Sequence, residues 1–69
     1  MDMYGIGQAI AANVDENFCN RYSTADINKV IEILKQSIIN ADNSTRLEAG
    51  MFFDGLIDGL QTAYIINKR

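Results

Sequence analysis

The clearest structural signal in the chain is the stretch STADINKVIEILKQSIIN, residues 23–40. Placed at about 100° per residue, five of its apolar side chains and Ala41 just beyond it fall within about 50° of one line, and most polar side chains occupy the other side. This one-sided pattern is typical of a helix that packs through a single stripe. The stripe consists of Ile27, Val30, Ile31, Leu34, Ile38 and Ala41.

The ends and spacing of this stretch agree with a helix. Ser23 or Thr24 can act as the N-cap, and Asp26 places a negative charge in the first turn, where the helix dipole favours it. The apolar positions alternate spacings of four and three, as in a helix-pairing seam, although two heptads are too few for a coiled coil. We therefore predict a helix that pairs with a neighbour.

The C-terminal segment is predicted to form a second long helix with Asn43 or Ser44 as its N-cap. Its apolar stripe is about 140° wide, which is more than one partner helix needs, so we expect it to contact two or more neighbours. The stripe contains Ala49, Phe52, Phe53, Leu56, Ile57, Leu60, Ala63 and Tyr64.

Small residues recur at every fourth position of this segment, at Gly55, Gly59 and Ala63. Glycine in a helix interior costs about 1 kcal/mol relative to alanine, and close approach of a neighbouring backbone can offset that cost. Two alternatives follow from the pattern. The groove packs within one subunit, or it lies at a dimer interface.

The N-terminal segment is predicted to be a helix from about residue 3 to 19, with Asp2 as a possible N-cap. One face would carry Met3, Ile6, Gly7, Ile10, Val14 and Phe18. Asp15 and Glu16 would then lie toward its C-terminal end, where the dipole disfavours them.

The expected fold is one all-α domain over residues 1–69 with three helices. The second and third helices form an antiparallel hairpin joined by Asp42–Ser44. The first helix covers an open edge of that hairpin or crosses to a second subunit.

Composition limits the possible chemistry. The 69 residues include no His and one Cys, so an internal disulfide, a His/Cys zinc site and an imidazole base are all ruled out. The net charge is −3 with no basic patch, which argues against direct nucleic-acid binding. We expect no enzyme activity, no cofactor and no bound metal.

The sequence points to a cytoplasmic protein without a membrane segment. The first residues lack a basic secretory n-region, and the best spanning candidate, Leu47–Ile66, contains Asp54 and Asp58. Those two carboxylates share one helix face, and we expect that face to be solvated. Cys19 is expected to be a small buried apolar residue, with a reactive thiol as the alternative.

The chain has more apolar residues than a small core can bury. Five of them lie off the stripes and suggest a second contact surface: Ile33, Ile39, Leu47, Met51 and Ile65. We therefore predict a homodimer and also a protein partner. The predicted interface residues are Phe52, Phe53, Gly55, Leu56, Gly59, Leu60, Ala63, Ile33, Ile39 and Met51.

The segment Ser44-Thr45-Arg46-Leu47-Glu48-Ala49 resembles the inhibitory motif of Fic-type antitoxins, small helical proteins that block AMP-transferring toxins. That motif has Ser or Thr, three further residues, Glu, and then Gly or Asn. The resemblance covers six residues, departs from the motif at Ala49, and implies that Glu48 pairs with a toxin arginine and obstructs ATP.

The favoured hypothesis is a small non-enzymatic interaction module, that is, a regulator, adaptor or inhibitor that occupies a partner's surface. One alternative is an acidic decoy for a nucleic-acid-binding protein, which requires carboxylates spaced on one face like phosphates. The other is an antitoxin-like inhibitor.

Overall fold

The computed structural model describes the backbone of residues 2–67 and the side chains of residues 2–42 and 47–67. This part of the chain contains four helices and no strand. Their bounds are α1 Met3–Ala11, α2 Glu16–Arg21, α3 Thr24–Asn40 and α4 Asn43–Asn67. The predicted all-α class is confirmed.

The prediction of a single helix over residues 3–19 is wrong, because the chain turns after Ala11 and starts α2. The Val14 amide donates to the Ala11 carbonyl at 3.0 Å. The Asp15 carboxylate then caps α2 by accepting from the Phe18 amide at 2.9 Å. A carboxylate that is unfavourable at a helix C-terminus is favourable at the N-terminus of the next helix.

A reciprocal pair of hydrogen bonds opens α3. The Ser23 hydroxyl accepts from the Asp26 amide at 3.1 Å, and the Asp26 carboxylate accepts from the Ser23 amide at 3.2 Å. This capping box satisfies two amides that a bare helix end would leave without partners. The capping role predicted for Ser23 is thus present in the structure.

The helices α3 and α4 run antiparallel. The Tyr64 hydroxyl, near the end of α4, donates to the Tyr22 carbonyl just before α3 at 2.8 Å. On α3, Ile27 and Ile31 are buried, and they cluster with Ile57 and Tyr64 of α4.

Helix α1 packs along a different side of α4 and runs parallel to it. The contact is so close that a Cβ on Gly55 would lie 2.9 Å from the Tyr4 carbonyl carbon. Likewise, a Cβ on Gly7 would lie 2.8 Å from the Leu56 amide nitrogen. Of the two alternatives for the small-residue groove, the structure shows packing within one subunit.

The core lies between α2, α3 and the C-terminal half of α4. Cys19 of α2 is fully buried there, and Phe18 meets Tyr64 edge-on with ring centroids 6.5 Å apart. Val14, Leu34, Ile38 and Leu60 are partly buried around this cluster.

The molecule is flat, with Cα extents of 38 × 25 × 14 Å. The layer has α4 in the middle, with α1 and α3 at its two sides, and extensive packing joins each of them to α4 rather than to each other. The short helix α2 packs on this layer only near the C-terminal end of α4. Because stable domains usually stack two layers around a core, this arrangement leaves apolar surface uncovered.

Candidate interaction surfaces

One side of the layer is polar and acidic. The Tyr4 hydroxyl donates a hydrogen bond to the Asp58 carboxylate, and the Gln8 amide donates to the Tyr4 oxygen at 3.4 Å. Asp54 and Asp58 are both exposed, as expected for a solvated face. We call this the acidic side.

The opposite side of the layer is identified by helix geometry. Residues two apart on a helix point about 160° away from each other. Leu56 is therefore directed away from Asp58 on α4, and Ile6 and Ile10 are directed away from Gln8 on α1. On α3, the same reasoning separates Val30 from Asn28, which lines a cleft beside Gln61 and Ile65 on the acidic side.

We call this second surface the open face. Its residues are apolar and come from three helices: Met3, Ile6 and Ile10 of α1, Val30 and Leu34 of α3, and Phe52, Phe53, Leu56 and Leu60 of α4. No ionisable residue is among them.

The open face is exposed to different degrees along its length. Ile10 is 50% exposed and Val30 is 42% exposed, whereas the other members are half-buried. The rings of Phe52 and Phe53 meet at 5.8 Å and 45°, so these two side chains form one aromatic surface. Leu60 packs against the core near α2, whereas the two most exposed members, Ile10 and Val30, flank α4 near Gly59 and Gln61.

The apolar face expected for the N-terminal helix is only partly the face that α1 buries, because Gly7 alone of its α1 members is buried. Gly7 and Ala11 are buried against α4, whereas Met3 and Ile6 are only half-buried and Ile10 is half exposed. Small residues allow the two backbones to touch, which turns the larger side chains toward the open face.

The structure divides the ten predicted interface residues among three places. Phe52, Phe53, Leu56 and Leu60 lie on the open face, while Gly55, Gly59 and Ala63 pack against α1 or its immediate continuation. The remaining three are exposed elsewhere: Ile33 by 65%, Ile39 by 60% and Met51 by 46%.

A smaller apolar patch lies on the acidic side near the α3–α4 connection. Met51 and Leu47 precede Asp58 by about two and three helical turns, so they point the same way as that carboxylate. Ile39 lies three turns after Asn28 on α3 and points to the same side. We call Ile39, Leu47 and Met51 the hairpin-end patch, in which Leu47 is 72% exposed.

Two solvent-open clefts flank α4. One, of about 360 Å³, lies between α3 and α4 above Ile27 and Ile31. The other, of about 460 Å³, lies between α4 and the α1–α2 connection and includes Asp15 and Asn67. Small-molecule sites usually enclose most of their ligand, and neither cleft does so.

Several carboxylates have structural roles. Asp2, Asp15 and Asp26 each accept a backbone amide hydrogen bond at the start of a helix. These three carboxylates lie at the starts of three different helices. They therefore do not form a row spaced like the phosphates of a nucleic acid. Within the described residues, no group of three or more His, Cys, Asp or Glu side chains could hold a metal ion.

The titration of two tyrosines is shifted. The hydrogen bond to Asp58 raises the pKa of Tyr4, with further contributions from desolvation and nearby carboxylates. Burial raises the pKa of Tyr64. Both tyrosines are therefore held in the protonated, hydrogen-bond-donating form over a wide pH range.

Cys19 is a free, fully buried cysteine, which agrees with the apolar role expected for it. None of the described helices combines the length and the apolar character needed to cross a membrane.

The segment that resembles the antitoxin motif begins α4. Glu48 is exposed, whereas the side chains of Ser44, Thr45 and Arg46 lie outside the described part of the chain.

Comparison with protein-family models, with curated proteins and with solved structures found no match to this chain.

Proposed function

We propose that the protein is a non-enzymatic interaction module that acts by occupying the surface of a protein partner. The observation that carries the proposal is the exposure of nine large hydrophobic side chains among the described residues, distributed over both sides of a thin layer. Single exposed hydrophobic residues are ordinary, but a set this large in a chain of 69 residues is typical of contact surfaces.

The surface best suited to a different protein is the hairpin-end patch. Its apolar side chains share their side of the layer with exposed Asp54 and Asp58. A partner of matching chemistry presents an apolar surface bordered by Lys or Arg. In such a contact the apolar centre contributes most of the affinity, while the charged rim speeds association and sets orientation.

We further propose that the protein acts in a reducing, cytoplasmic environment, because its single cysteine is buried as a free thiol. Among the alternative functions, the acidic decoy is less well supported, because Asp2, Asp15 and Asp26 bond backbone amides at helix starts and only Asp54 and Asp58 share the acidic side.

Affinity capture with quantitative mass spectrometry tests the proposed function. The bait is the wild-type chain, compared with a Leu47→Asp/Met51→Asp double variant and with an Ile66→Asp control. Leu47, Met51 and Ile66 are 72%, 46% and 58% exposed, so the fold should tolerate the changes. We expect one protein to be recovered at least about 10-fold less with the double variant and equally with the control. An identical set of proteins with all three baits would contradict the proposal.

The purified partner then provides a check of its chemistry. If Asp54 and Asp58 border the contact, its association rate should fall as salt is raised from about 50 mM to 500 mM, because ions screen surface charges. Asp54→Asn should weaken that salt dependence. An association rate that is independent of salt would exclude a basic rim on the partner.

A further inference from the structure

We propose that the open face is the docking site for a second copy of this chain, giving a symmetric dimer of two stacked helix layers. The inference rests on the proposed interaction role and extends it by naming the occupant of the side opposite the hairpin-end patch. Three observations support it: the surface area, the distribution of charge and the architecture of the layer.

The accessible surface is larger than that of a compact monomer. The chain exposes 4793 Å², whereas a folded monomer of this mass is expected to expose about 4300 Å². A stable interface of standard size removes about 800 Å² from each partner. Removing that area from the open face would bring each copy slightly below the value for a compact monomer.

The charge distribution suits a copy of the same chain. The listed members of the open face are all apolar, and Asp54 and Asp58 point to the other side of the layer. The carboxylate nearest to them on α3 is that of exposed Asp26, one turn before Val30, at the end of the face next to α2. Stacking the apolar members of two open faces therefore keeps the acidic sides of the two copies on the outside. They would be separated by two helix layers, about 20 Å, which exceeds the Debye length of about 8 Å at physiological salt.

The architecture supplies a self-complementary surface. A twofold axis brings the same patch of both copies into contact, so the patch must be complementary in shape to itself. The partly exposed aromatic pair of Phe52 and Phe53, with Leu56 beside it, occupies the middle of the face on the central helix. Helix α2 covers one end of the face, so the contact extends from the level of Ile10 and Val30 toward the N-terminal end of α4. The second layer then covers apolar surface that α1, α3 and α4 leave exposed.

Sedimentation equilibrium of the purified full chain over about 1–500 µM tests the dimer. The wild type should sediment at twice its 7.7 kDa mass at the upper concentrations. Ile10→Glu puts a charge on the open face and should raise the dimer dissociation constant at least about 100-fold, since each dimer carries the change twice. Val30→Glu, on a different helix, should act in the same way. Ile65→Glu is the matched control on the acidic side and should change the constant less than about 3-fold.

Circular dichroism of each variant shows whether it remains helical. Because the test variants lie on two helices, the experiment stays informative if one of them fails to fold.

A wild-type chain that stays monomeric throughout the concentration range would overturn the inference. The inference would also fail if Ile65→Glu weakened the dimer more than Ile10→Glu and Val30→Glu do. A monomer that still captures a partner through Leu47 and Met51 would refute the dimer alone. A dimer that captures nothing would refute the proposed function alone.

Discussion

Replacing Gly55 by alanine tests the close contact between α1 and α4. The new methyl group would collide with the Tyr4 carbonyl oxygen and lie 2.9 Å from its carbon and 3.1 Å from the Gln8 amide nitrogen. These atoms belong to the backbone and cannot rotate away, so α1 must move outward by about 1 Å. A gap of that size forfeits a quarter to a half of the contact energy of the atoms that it separates.

The expected net effect is a loss of stability. Overpacking of this kind costs typically 1–3 kcal/mol, and we take about 3 kcal/mol because the obstacle is backbone. Alanine recovers about 1 kcal/mol through its higher helix propensity. The net loss is therefore about 2 kcal/mol, equivalent to a decrease in Tm of about 8–16 °C for a chain of this size.

The matched control is Gly5→Ala, in the helix that Gly55 contacts. The three atoms nearest to a Cβ at Gly5 all belong to the Asp2 side chain, with Oδ2 at 3.2 Å, and a side chain gives way more easily than the backbone that Gly55 faces. Its effect should lie between neutral and about 1 kcal/mol stabilising. Both variants are compared by urea unfolding followed at 222 nm, at one protein concentration so that association contributes equally. A Gly55→Ala variant as stable as the wild type would refute the close-contact argument.

Three further substitutions test other features. Tyr64→Phe removes the hydrogen bond to the Tyr22 carbonyl and should cost about 1–2 kcal/mol in urea unfolding, because a partly buried acceptor loses its donor; no change would show that water replaces the hydroxyl. Ser23→Ala removes half of the capping box and should cost about 1 kcal/mol, measured in the same way, whereas Ser23→Gly should cost less. The raised pKa of Tyr4 predicts stability that is fully present below pH about 10 and lost as the pH rises through the folded-state value. Tyr4→Phe should therefore make the decline above pH 10 shallower in urea titrations, and an unchanged decline would assign it to other groups.

The long helices could be predicted because their signals are local. The stripe from Ile27 to Ile38 and the cap at Ser23 fix α3 from neighbouring residues alone. The break before α2 also had a local signal, since Asp15 and Glu16 fit the start of a helix better than its end.

The orientation of α1 could not be predicted in the same way. Hydrophobic periodicity favours burial of Ile6 and Ile10, but the structure buries Gly7 and Ala11. Which face of α1 is buried depends on Gly55, almost fifty residues later in the chain. Because Gly55 has no side chain, the backbones of α1 and α4 can come into contact. A one-helix pattern cannot contain that information. The predicted wide stripe on α4 does correspond to two neighbours, and its glycines indicate where one of them comes closest.

The docking of α1 on α4 has a consequence for biosynthesis. Ribosomes make α1 before the residues of α4 that it contacts, from Phe52 to Gly59. Until they emerge, Ile6 and Ile10 have no native neighbour, so the growing polypeptide depends on chaperones or on its own solubility. Docking of α1 must therefore follow synthesis of α4 through Gly59, and a product truncated before Phe52 could not place α1.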